Sequence, residues 1–449
     1  MKNIFAEIWK MEDLRKRVLF TLGMLGVYRL GIVIAAPGLD REALAEWTHS
    51  QSGTLFGLYD MFSGGALSQY SVFVLGIMPY ITASIIIQVL SHAVPALERI
   101  SKEGQQGRNR INQYTRYLTI VIALVQSFSI AAGLERVTMG QESVVIEPGW
   151  GFRLLTMVTM TAGASFVMWL GEQMTDRGVG NGASIIITAG IVARLPMGAM
   201  SLYQLYNSDH RMTLLGVVLL LCFMFAILMG IVYIERGQRR IPIQYAKRVL
   251  GKSVYEGQTT HLPLKVNTAG VIPPIFASSL LMLPGTIGTF YTAGPLRWLA
   301  GSLSPGNWLY NVSYVGMIVF FAFYYTAVTF NPVDVAENLK KQGGYIPRVR
   351  PGTETAEYID RLLSRLTFGG AVYLAAICVL PSILMNNFGI PFSYGGTGLL
   401  ILVGVCLDTV QQVEAHLMTK HYDGVVGPGA RVKGRRQRIG TGSASGRAF

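Results

Sequence analysis

Residues 58–88 read LYDMFSGGALSQYSVFVLGIMPYITASIIIQ. After Asp60 the stretch carries no charge, and from Val72 it is apolar almost without interruption. About 20 such residues are what a helix needs to cross the hydrocarbon of a bilayer. The first part differs, because Ser63-Gly64-Gly65 breaks it. Non-helical backbone at membrane depth is tolerated only where protein or a water-filled cavity surrounds it. A re-entrant segment and a loop lying on the membrane surface both fit 53–71, and the residues alone leave the two open.

Working outward from Val72–Leu90, nine more spans are read at Val18–Ala36, Tyr117–Leu134, Leu154–Gly171, Ala183–Met200, Leu214–Ile234, Thr268–Thr292, Val312–Phe330, Leu366–Met385 and Gly395–Leu417. The expected fold class is therefore an all-α membrane protein. Continuous apolar runs, rather than short alternating ones, argue against a β-barrel. Composition agrees: 51% of the 449 residues are apolar and 14% charged, against about 25% charged in soluble domains. Disorder and a disulfide scaffold are both excluded, since Cys222, Cys378 and Cys406 all sit in apolar runs and read as reduced core thiols.

The net charge is +13, and its distribution fixes an orientation. The side of both termini holds 31 Lys and Arg and the opposite side 6, counting Arg194 in the outer part of its span, while Arg29 lies in the first span. The positive-inside rule then predicts both termini in the cytoplasm. Met1–Arg17 shows no cleavable signal. Ile4, Phe5, Ile8 and Trp9 recur at helical spacing, so 1–17 reads as an amphipathic helix on the inner surface. Ten spans divide into 18–207 and 208–417, and five per half makes the halves antiparallel, as in inverted-repeat transport folds. The basic tail 418–449 follows, with Arg431–Arg447 Gly/Ser-rich and expected to be disordered.

No nucleophile elbow, P-loop, zincin helix or Cys/His metal spacing occurs, so neither catalysis nor a cofactor is expected. Arg29, Arg194 and Asp408 are the main ionisable residues inside spans; Asp408 alone could be a carrier-type carboxylate, though such a residue more often pairs locally or lies near an interface. Ile81 with Ile85 and Ile187 with Ile191 share helix faces. Such pairs serve lipid contact or packing, or else a hydrophobic constriction that gates by dewetting. Loops 235–267 and 331–365 exceed the 2–8 residues that a plain helix connection takes. Basic loops of that length suit an acidic protein or a ribonucleoprotein. Two function classes remain, a protein-conducting channel and a ten-span secondary transporter for a small solute.

The chain resembles the SecY/Sec61-alpha family, the central channel subunits of Sec protein translocases. The blocks that carry the likeness are 58–88, EGQQGRNRINQYTRYLT (103–119), DRGVGNGASIIITAGIVARLP (176–196), GQRRIPIQYAKR (237–248), THLPLKVNTAGVIPPIFASS (260–279), NPVDVAENLKKQGGYIPRVRPG (331–352) and YGGTGLLI (394–401). The resemblance implies two inverted five-helix halves around a central hourglass pore. It implies a pore ring of Ile81, Ile85, Ile187, Ile191, Ile275 and Ile401, and a plug over Tyr59–Tyr70 containing Tyr59, Asp60, Met61, Phe62, Ser63, Gly64, Gly65, Ala66 and Leu67. It further implies a lateral gate between the second and seventh spans, with Thr82, Gln126 and Asn267 as polar seam candidates. Docking of the motor SecA or the ribosome would fall to Arg236, Arg239, Arg240, Lys247, Arg248, Arg348 and, best of all, Arg350. The implied partners are small subunits SecE and SecG, polypeptides bearing signal sequences, and the lipid bilayer of the bacterial inner membrane.

Overall fold

A computed structural model describes residues 11–39, 60, 63–135, 138–139, 142–207, 214–245, 248–250, 253–255, 259–288, 302, 307–388 and 396–425. Each of the ten predicted spans falls on a helix: α1 (Glu12–Val33), α2 (Met78–Ala93), α4 (Gln105–Leu134), α5 (Trp150–Arg177), α6 (Gly182–Asn207), α7 (Leu214–Glu235), α8 (Ile272–Gly288), α9 (Trp308–Thr329), α11 (Thr353–Phe388) and α12 (Gly396–Val425). Two shorter helices, α3 (Pro95–Lys102) and α10 (Pro332–Lys341), join them among the described residues. Seven helices are by themselves long and apolar enough to cross a membrane. The N-terminal ten residues, the segment 208–213 and the tail from 426, with the reading of Arg431–Arg447, lie outside the described residues; of 1–17 only 11–17 is described, and 12–17 forms the start of α1, continuous with the first span.

Boundaries move where local chemistry outweighs hydropathy. Helix α2 begins at Met78, not Val72, because Gly76 sits at φ +54° and Pro79 falls in the first turn. Proline is favoured there, having no N–H to leave unpaired. The helix ends before Pro95, where α3 turns away by 100°, since the residue preceding a proline avoids the helical region. Helix α8 likewise starts late, at Ile272, with two prolines in its first turn. Helices α4 and α11 instead extend beyond their apolar windows, starting at Gln105 and Thr353.

Packing divides the helices into two groups. Within the first, α4 packs on α2 and α5, α5 on α6, and α1 on α5 and α6; within the second, α9 and α12 pack on α11, α8 on α9, and α7 on α12. The groups meet along two seams, α8 against α2 and α4 on one side, and α12 and α7 against α6 on the other. One apolar cluster spans both groups, running from Tyr28 and Ile32 through Ile85 and Ile191 to Leu374 and Val405.

The two long basic loops form one unit. Strand β3 (Gln238–Tyr245) pairs antiparallel with β6 (Thr259–Lys265) from the same loop and with β7 (Gly344–Tyr345) from the other, in the order β6-β3-β7. Two small hairpins, β1–β2 (Thr138–Met139, Glu142–Ser143) and β4–β5 (Arg248–Leu250, Ser253–Tyr255), stand apart. Ile241 and Leu264 from the sheet pack with Ile346 and with Ile359 and Leu363 of α11. That apolar layer fixes the sheet to the helical bundle.

Candidate functional site

The described part of the broken segment, Asp60 and 63–71, is largely buried in the bundle. Asp60, Ser63, Ala66 and Leu67 are all at most 2% exposed. The Asp60 carboxylate organises it, with Oδ1 accepting the N–H groups of Leu67 (3.0 Å) and Ser68 (2.9 Å). The turn closes through Gly65 N–H onto the Asp60 carbonyl at 2.9 Å. Gly64 and Gly65 have φ of +71° and +92°, a region that side-chain-bearing residues enter only at a cost. Gly64 also faces the Gly190 backbone so closely that an added Cβ would collide with it. Tyr59, Met61 and Phe62 lie outside the described residues.

Three helices hold this segment. From α1, Tyr28 donates its hydroxyl to the Ser63 carbonyl at 3.0 Å, and Arg29 donates to the Gly64 carbonyl and to the Ala189 carbonyl of α6. From α6, Arg194 pairs with the free oxygen of Asp60. The Tyr70 hydroxyl lies 3.4 Å from that of Thr156 on α5. A buried carboxylate is costly unless paired and hydrogen-bonded, and Asp60 meets both conditions.

The six isoleucines singled out by the resemblance come from four helices. Ile81 and Ile85 stand on α2, Ile187 and Ile191 on α6, Ile275 on α8 and Ile401 on α12. Their exposures are 8, 2, 1, 0, 6 and 0%, and all six belong to the single central cluster. Ile81, Ile187 and Ile275 also line a cavity of about 320 Å³, together with Tyr80, Ser84 and Phe276. Its wall carries the Arg116–Glu172 pair, made through Nε–Oε1 at 2.9 Å and Nη2–Oε2 at 2.8 Å.

The three polar seam candidates are all buried and make no hydrogen bond to one another. Thr82 turns its hydroxyl back to the Met78 carbonyl of its own helix, at 3.0 Å. Gln126 on α4 is buried, and its Oε1 has no hydrogen-bond partner among the described residues. Asn267 instead donates to Glu235 of α7 at 3.1 Å and to the Gly270 carbonyl at 3.0 Å, closing the base of the β3–β6 hairpin. Sequence reasoning missed Tyr324 on α9, whose hydroxyl donates to the Gln88 carbonyl of α2 at 3.3 Å and whose ring meets His92 edge-on. This bond joins the two helix groups, and nothing in the periodicity marks it.

Asp408, within the apolar window of α12, is locally paired: its side chain is 60% exposed and faces Lys265 of β6 at 3.7 Å. Of the thiols, Cys378 is buried while Cys222 and Cys406 are exposed, so two of the three are not core residues. Arg236, Arg239, Arg240, Arg348 and Arg350 are exposed on or beside the sheet, and Arg350 reaches Glu354 at 3.8 Å. Arg248 opens β4 and Lys247 lies outside the described residues.

A multi-span helical protein, with two helix groups sharing one apolar core and a folded-in segment pinned against it, is the class that this geometry defines. Residues 71–410 match the SecY family profile. The chain is 48% identical over 419 residues to the protein translocase subunit SecY of Escherichia coli K12, covering 92% of this chain and 94% of that one. The chain belongs to the SecY family. Its fold superposes on a SecY structure in which the plug domain is described as stabilising the closed translocation channel and maintaining a membrane seal, with TM-score 0.63 and 18% identity over 93% of this chain and 95% of that one. It superposes equally on Sec61 from the canine ribosome-channel complex of the endoplasmic reticulum, at TM-score 0.63 and 17% identity over the same shares.

Proposed function

We propose that this chain is the pore-forming subunit of a protein-conducting channel in the bacterial inner membrane, with both termini cytoplasmic. The carrying observation is that six isoleucines from four helices of both groups are all at most 8% exposed and belong to one continuous apolar cluster. Flexible aliphatic side chains can close around a moving polypeptide without offering it hydrogen bonds, and they resist wetting when it is gone. The halves 18–207 and 208–417 form the two sides of that waist, and 53–71 is the plug below it. The α2–α8 seam is the lateral gate. An apolar signal helix entering it gains roughly 25 cal/mol per Å² of surface moved from water to lipid.

The chain performs no chemical step in this reading and takes its energy from partners. The β6-β3-β7 sheet presents Arg236, Arg239, Arg240 and Arg348, with Arg350 alongside, to an acidic or phosphate-bearing partner such as the SecA motor or the ribosome. SecE and SecG would accompany it in the membrane. The transporter reading needs a polar substrate site at mid-membrane, and the exposed, Lys265-paired Asp408 does not supply one. The deciding experiment is purification in mild detergent, reconstitution with the co-purifying small subunits, and an import assay into vesicles. Signal-dependent protection of an unfolded secretory protein supports a channel. Uptake of a small solute without such protection would exclude it.

A further inference from the structure

Helix α6 carries Ile187, Ile191 and Arg194 at spacings of four and three, so the arginine continues the isoleucine stripe along one helix face. At that point the broken segment supplies a carboxylate, and Asp60 pairs with Arg194. Arg29, on α1, reaches the same place and donates to the Gly64 and Ala189 carbonyls, 5.9 Å from the Tyr28 ring centre. No carboxylate faces Arg29 among the described residues. Two guanidiniums thus stand at the place where Asp60 is held, one of them paired with it. A guanidinium offers a planar fork of N–H donors matched to carboxylate oxygens, and partial removal from water strengthens such bonds.

Both arginines are rooted in packed helices, whereas their anion is rooted in a segment that the channel reading requires to move. Once that segment leaves, Asp60 leaves with it and the cationic pocket stays, next to the isoleucines on the path of the emerging chain. We infer that Arg194 and Arg29 form a carboxylate receptor below the waist, filled at rest by Asp60 and during passage by aspartate and glutamate side chains of the translocating polypeptide. Acidic segments then dwell at the receptor, and Asp60 reoccupies it when the polypeptide has passed. The inference rests on the channel reading and names a chemical preference within it.

The test uses the complete channel complex in vesicles and one secretory reporter with a run of six residues, Asp, Asn or Lys, placed late in its sequence. Passage times are measured for the native channel and for R194Q, R194K and D60N. In the native channel the Asp run should pass on the order of fivefold more slowly than the Asn run, a modest size for a partly hydrated charge-assisted contact. R194Q should abolish that difference, R194K should retain part of it, and D60N should preserve or enlarge it because the resident anion is gone. R194K keeps the charge should R194Q fail to assemble. An Asp delay of equal size in the native and R194 variants, or none in the native channel, overturns the receptor. Failure of the native channel to pass any reporter would instead defeat the channel reading itself.

Discussion

Replacing Ile85 and Ile191 together by asparagine probes the waist where it is driest, since their exposures are 2 and 0%. Full burial of such a side chain is worth about 1.5–3 kcal/mol, so the pair contributes about 3–6 kcal/mol to the closed state. At 1.4 kcal/mol per decade that is about two to four decades in the closed-to-open ratio as an upper bound. Water entering to solvate the amides recovers part of it, so one to two decades is the working expectation. The assay is ion conductance of resting channels in planar bilayers at fixed voltage. The double Ile→Val variant serves as control, because each such change costs only about 0.5–1.5 kcal/mol. The asparagine pair should leak and the valine pair stay near baseline. Baseline conductance in a correctly assembled asparagine pair would refute the reasoning that these side chains hold water out.

Tyr324→Phe removes the hydroxyl that α9 donates to the Gln88 carbonyl; with about 0.5–1.5 kcal/mol per such bond, the seam should open about 2- to 12-fold more readily, read as export of a reporter with a weakened signal sequence. Arg350→Glu reverses an exposed charge on the basic face and should abolish motor-driven import while the protein still inserts and co-purifies with its small subunits. Gly163→Ala places a methyl against the Val72 carbonyl, a backbone atom with little room to yield; about 1–3 kcal/mol of overpacking should lower the melting temperature in detergent, and an unchanged melting curve would contradict the packing described here. Tyr28→Phe leaves the ring in place and takes away the Ser63 contact, so a cysteine at Ser68 should be labelled faster from the outer side than in the native background.

The sequence located the spans because hydropathy over 20 residues is a strong, local signal. Every one of the ten windows holds a helix, and errors fell at ends ruled by Pro79, Pro95 and Gly76. The inward path of 60–70 was legible only as an interruption. What buries it is a set of contacts with Tyr28, Arg29, Thr156 and Arg194, up to 134 residues distant, and no local pattern encodes those. The pairing of β3 with β7 was hidden for the same reason. Ile241 and Ile243 alternate with exposed Pro242 along β3, and nothing local in the loop names a partner about 100 residues further on. The partners of Asp408 and Asn267, Lys265 and Glu235, lie 143 and 32 residues away, and no hydropathy window points to them. The isoleucine pairs were visible as faces, and only the fold brings four helices' worth of them into one cluster.

The most direct measurement is photocrosslinking from single positions to a secretory chain arrested halfway through. A photoreactive residue placed in turn at 85, 191, 275 and 401 should label the arrested polypeptide from every position, while one at Leu219, 62% exposed on α7, should label lipid. Labelling of acyl chains from the four isoleucine positions, with none on the polypeptide, would contradict the account.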